Sequence, residues 1–93
     1  MRRAARRDTT HAEVRDAFRD LGCLVLELNG AIDLLVLENG VLSLVDCKTP
    51  KSKAGRITRT KTQQKLDAEG WPVIYVTSAE RAVALVKAWR RAA

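Results

Sequence analysis

Histidine is nearly absent from this chain, and His11 is the only one. So little material leaves no Ser-His-Asp or Cys-His arrangement for nucleophilic catalysis. At the first turn of a predicted helix, His11 reads as an exposed polar residue rather than a base. Only two cysteines occur, Cys23 and Cys47, and they fit no metal-ligand spacing. Both sit in apolar, strand-like stretches and read as buried, reduced thiols of a cytoplasmic protein. No glycine-rich phosphate loop is present. Aromatic residues make up only 4% of the chain. Trp71 and Trp89 read as core anchors rather than base-stacking platforms, and Tyr75 as a packed strand residue. Apolar runs such as Ile32 to Leu37 are broken by charge and fall far short of the ~20 residues that span a bilayer, so no membrane partner is expected. The basic start, Met1 to Arg7, is followed by no apolar segment, so no signal peptide is expected.

What is present is apolar residue at 46% and a net charge of +6. The first is enough for folding. At 93 residues the chain makes one small domain with a modest core, which oligomerisation would enlarge. The charge is clustered. Residues 48 to 65 carry Lys48, Lys51, Lys53, Arg56, Arg59, Lys61 and Lys65 with no acid among them, and residues 1 to 7 add four arginines. Clustered basic residues point to a polyanion, most simply nucleic acid. Lys51, Lys53, Arg56, Arg59, Lys61 and Lys65 are the candidate nucleic-acid contacts. The competing explanation is a solvated surface that confers solubility.

Along the chain, residues 1–8 read as a flexible basic arm and 9–93 as the folded domain. Thr10-His11-Ala12-Glu13 has the form of a capping box, with Thr10 at the N-cap. Val14, Ala17, Phe18 and Leu21 follow at helical spacing, and Gly22 ends the helix. Cys23 to Leu28 is a short strand. Asn39-Gly40 is the strongest hairpin signal, because both residues tolerate positive φ; it joins strands over about 32–48. After a basic loop at 49–59, Thr60-Lys61-Thr62-Gln63 forms a second capping box that opens a helix over Lys61 to Glu69. Val73 to Val76 is a strand behind Pro72. Ser78 caps a last helix whose apolar face is Val83, Leu85, Val86 and Trp89. The order α-β-β-β-α-β-α predicts an α/β fold. It has a mixed four-stranded sheet, an antiparallel meander plus one parallel strand, flanked by helices that include a C-terminal one.

The hairpin brings the start of one strand beside the end of the next, and so Asp33 beside Asp46. A strand period of two puts Asp46 and Lys48 on the same face. Two carboxylates and an ammonium at a sheet end can hold a divalent cation and activate a water. Each has a plainer explanation: Asp33 as a turn residue, Asp46 and Lys48 as a strand running out into solvent. Glu13 is either a capping residue or a further ligand. Gln63 satisfies the second capping box, which favours Gln64 over its neighbour Gln63 as the residue that faces the site.

The order Glu13, Asp33, Asp46-Cys47-Lys48, Gln64 resembles the PD-(D/E)XK nuclease superfamily. It is most similar to the compact virus-type VRR-Nuc domains and the related Holliday-junction resolvases. The similarity covers residues 9–93. It includes Leu21-Gly22-Cys23, Gly30 to Val36, Val45-Asp46-Cys47-Lys48, Thr60 to Gln64 and Gly70-Trp71-Pro72-Val73. Two positions depart from the pattern: Ile32 stands where a proline usually precedes the first aspartate, and Asp46 stands for the commoner glutamate.

The resemblance implies a restriction-endonuclease-like αβββαβ core and a metal-dependent DNA endonuclease that leaves a 5′-phosphate and a 3′-hydroxyl. It implies Mg²⁺, or Mn²⁺, held by Asp33, Asp46 and the backbone carbonyl of Cys47, with Glu13 as a possible further ligand and no small-molecule cofactor. Asp33, Asp46, Lys48 and Gln64 are the implied catalytic set. Phosphate contacts do not read sequence, so selectivity for branched DNA is expected, with a homodimer supplying two sites. The rivals are a catalytically inactive nucleic-acid-binding module of the same fold and a small subunit that docks on an acidic protein.

Overall fold

The computed structural model describes residues 4–50 and 56–93, with the backbone alone for residues 4–9. The elements run α1 (Ala4–Asp20), β1 (Leu24–Glu27), β2 (Leu34–Glu38), β3 (Val41–Cys47), α2 (Lys61–Glu69), β4 (Val73–Val76) and α3 (Ala79–Ala92). This is the expected α/β order.

Helix α1 differs from expectation at its start. It is already helical at Ala4, the first described residue, so Thr10 lies within the helix and is not its N-cap, and residues 4–8 are helical. Ala4, Ala5, Arg6 and Arg7 are strong helix formers, and a Thr-x-x-Glu spacing inside a helix is indistinguishable in sequence from a cap. The Thr10 hydroxyl instead meets that of Thr49 at 2.8 Å, which ties α1 to the exit of β3.

The sheet order is β1-β2-β3-β4, antiparallel except for the parallel β3–β4 pair. Glu38 pairs with Val41 across a two-residue turn in which Asn39 has φ 52° and Gly40 φ 81°. Positive φ at both positions matches the right-handed twist of the flanking strands, so the turn fixes the register. Helix α2 has the expected capping box at Thr60 and Gln63, and it ends at Gly70 with φ 96°. Helix α3 is capped by the Ser78 hydroxyl, which accepts from the Arg81 amide.

The core lies on one face of the sheet. Val14 and Phe18 of α1 and Ala82 and Val86 of α3 bury themselves against Leu34, Val36, Val45 and Val76. Trp89 stacks on Phe18 with ring centroids 6.1 Å apart. Trp71, expected as a core anchor, is exposed; it lies just past the end of α2, where its indole N–H donates to Glu69. Cys23 is buried, and burial, with the Glu38 carboxylate second, pushes its thiol up to about 11. Cys47 is only half-buried, and the two cysteines form no disulfide.

The opposite face is leucine-rich. Cross-strand pairing sets Leu24 beside Leu37, Leu26 beside Leu35, and Leu37 beside Leu42. Leu24, Leu26 and Leu42 are each more than 60% exposed. Among the described residues no helix is long and apolar enough to cross a membrane.

Candidate active site

Extending the β2–β3 register by one step beyond the Leu34–Val45 pair brings Asp33 opposite Asp46. Both are buried, with 5% and 4% of their surface exposed. The backbone amide of Cys47 donates to Asp33 Oδ2 at 2.9 Å, which fixes the first carboxylate against β3. Two residues after Asp46 on the same strand face, Lys48 places its Nζ 3.2 Å from Asp46 Oδ2. The Lys48 amide donates to the Val76 carbonyl, so pairing with β4 holds the strand end in place. Lys48 Nζ also lies 5.9 Å from the centre of the Tyr75 ring.

Burial raises the Asp46 carboxyl above its ordinary value, the Asp33 charge raises it further, and hydrogen bonds from Lys48 and Gln63 oppose the rise. Burial and the neighbouring Asp33 charge thus outweigh Lys48 at Asp46. A hard divalent cation, which takes oxygen ligands and keeps several waters, fits this donor set.

The structure corrects the glutamine assignment. Gln63, not Gln64, is buried and lines a cleft of about 290 Å³ with Asp33, Asp46, Cys47, Lys48 and Thr60. Its Oε1 accepts from the Thr60 amide, its Nε2 donates to the Ala31 carbonyl at 2.7 Å, and the side chain also hydrogen-bonds Asp46. Capping and facing the site are thus compatible. Gln64 is exposed and donates to the Arg59 carbonyl.

Glu13, read as either a capping residue or a further ligand, lies exposed in the interior of α1. Its helical position explains this. His11, Val14, Phe18 and Leu21 share one face at spacings of three and four, whereas Glu13 lies one turn-fraction away. His11 therefore points at the sheet end, contrary to its reading as an exposed residue. Its side chain is 14% exposed, its Nδ1 is 4.0 Å from Asp33 Oδ1, and its Nε2 is 3.0 Å from Glu27 Oε1. The stripe itself was the signal that could have found it.

Of the basic candidates, Arg56, Arg59, Lys61 and Lys65 are exposed. Arg59 pairs with Asp67 at 2.6 Å, and Asp67 also accepts from the Tyr75 hydroxyl. Lys61 and Lys65 are four residues apart on α2, the helix that carries Gln63 to the cleft. Lys51 and Lys53 lie outside the described residues.

Comparison with family models, curated proteins and solved structures found no match to this chain.

Proposed function

We propose that the protein is a metal-dependent DNA endonuclease with a restriction-endonuclease-like core, selective for DNA structure and acting as a homodimer. The observation that carries this reading is the joining of Asp33, Asp46, Lys48 and Gln63 in one cleft at the end of the sheet. The element order and the resemblance described above support it.

In this reading Asp33 and Asp46 hold Mg²⁺ or Mn²⁺, with the Cys47 carbonyl beside them. When bound, the ion supplies a Lewis acid that makes water nucleophilic at neutral pH and offsets charge on the scissile phosphate. Lys48 orients or deprotonates the attacking water and neutralises phosphate charge. Gln63, fixed by its bonds to Ala31 and Thr60, keeps Lys48 and Asp46 aligned. Arg56, Arg59, Lys61 and Lys65 track the phosphate backbone, and Lys51 and Lys53 extend that set. The exposed leucine face is the surface on which a second copy would bury apolar area, and two sites would then cut two strands. Two cysteines outside any disulfide suit a reducing, intracellular setting.

A gel assay of DNA binding and cleavage with Asp46→Ala separates the alternatives. Metal-dependent cleavage abolished by the substitution supports the enzyme. Salt-sensitive binding without cleavage in either protein leaves a binding module, and absence of DNA binding leaves a subunit that docks on protein.

A further inference from the structure

Asp46 and Cys47 are adjacent in β3, so their side chains leave opposite faces of the sheet. Asp46 and Lys48 face the cleft with Gln63. Cys47 packs toward the helical side, where its neighbour is His11 of α1. Asp33 stands between the two: Oδ2 accepts from the Cys47 amide and Oδ1 faces His11. One ligand atom each from His11, Asp33 and Cys47 lies within 4.8 Å of the others.

The imidazole is oriented by a second carboxylate. A carboxylate only accepts hydrogen bonds, so the 3.0 Å contact makes His11 Nε2 the donor to Glu27. In the neutral ring the Nδ1 lone pair is then directed to Asp33. Histidines that ligate metals characteristically donate their other N–H to a carboxylate in this way. Glu27 is itself held by Arg15 at 3.3 Å and Arg19 at 3.9 Å.

We propose that His11, Asp33 and Cys47 form a binding position for a borderline-soft divalent transition ion such as Zn²⁺, on the helical side of the sheet end. The nitrogen, oxygen and sulfur donor set selects such an ion over Mg²⁺. A tetrahedral ion with bonds of about 2.0–2.3 Å holds its ligands about 3.3–3.8 Å apart, so separations within 4.8 Å close by at most about 1.5 Å on binding. Three protein ligands leave the fourth position open. The position shares Asp33 with the cleft but does not depend on DNA cleavage.

Cobalt is the probe, because sulfur ligation gives a near-ultraviolet charge-transfer band. Metal-free full-length protein titrated with Co²⁺ is expected to develop that band at one equivalent, and Zn²⁺ to displace it. The band persists in Asp46→Asn and is lost in Cys47→Ala. Glu27→Gln, at an exposed residue whose change leaves the core intact, weakens binding about 10–100-fold, and His11→Ala at least as much. No band, a band unaltered in His11→Ala, or a band retained in Cys47→Ala through Cys23 overturns the proposal. Cobalt binding without any DNA cleavage overturns only the nuclease, and cleavage without the band overturns only this position.

Discussion

Asp46 carries the clearest consequence at the scale of single residues. Its carboxyl is raised in the folded protein, first by burial and then by Asp33. For a raised acid, the contribution to stability is full below the ordinary value of 3.8 and is lost as pH rises through the folded one. Metal-free protein should therefore lose stability relative to Asp46→Asn as pH climbs above about 4, measured by thermal melts of both across pH. A gain in stability relative to Asp46→Asn over that range would contradict the assigned electrostatics. Adding Mg²⁺ at neutral pH should raise the melting temperature of the unsubstituted protein more than that of Asp46→Asn. The two glutamines make a second test. Gln63→Ala removes a cap and leaves the Ala31 carbonyl unpaired, at a cost of about 1–3 kcal/mol in denaturant melts. Gln64→Ala should stay within about 0.5 kcal/mol. Asp33, Asp46 and Lys48 were legible in the sequence because a two-residue turn and a strand period of two leave no freedom of register. The glutamines were not, because a capping box says which residue caps and not whether its other end is used.

Among the elements, the hairpin and α2 were readable nearly to the residue. Asn39-Gly40, Thr60-Gln63 and Gly70 are local signals with one backbone solution each. Helix α1 was not. The Thr10–Glu13 pattern offered a cap, but the helix already runs through those residues from Ala4 onward. That misplaced start hid His11, which shares the stripe of Val14 and Phe18. The stripe is also what holds α1 on the sheet. Phe18 is fully buried and stacks on Trp89, so Phe18→Ala should cost about 3–5 kcal/mol by chemical denaturation, while Glu13→Ala at the exposed face should be nearly silent. Comparable losses for the two would mean that the helix is rotated from the position described.

For the molecule as a whole, one face of the sheet carries α1 and α3, and the other exposes leucines. Nothing in the sequence separated these faces, because β2 is apolar on both sides, from Leu34 through Leu37. Sedimentation should show a dimer that Leu26→Lys weakens, since a charge at that position faces the apolar surface instead of the core. A chain that is monomeric at every concentration would remove the two-site mechanism. Basic residues cluster at 48–65, and contact with about six phosphates predicts that log K for DNA falls against log salt with a slope of roughly −5.

The central claim is that Asp33, Asp46 and Lys48 hydrolyse DNA. It is tested most directly by a low-salt cleavage assay with Mg²⁺ or Mn²⁺ on a four-way junction, a flapped or nicked duplex, plain duplex and single strand. Lys48→Ala serves as the control. The account predicts paired, symmetric cuts in the junction and a loss of about 10²–10⁴-fold in the variant. Absence of metal-dependent product on every substrate, or cleavage that Lys48→Ala leaves intact, would contradict it.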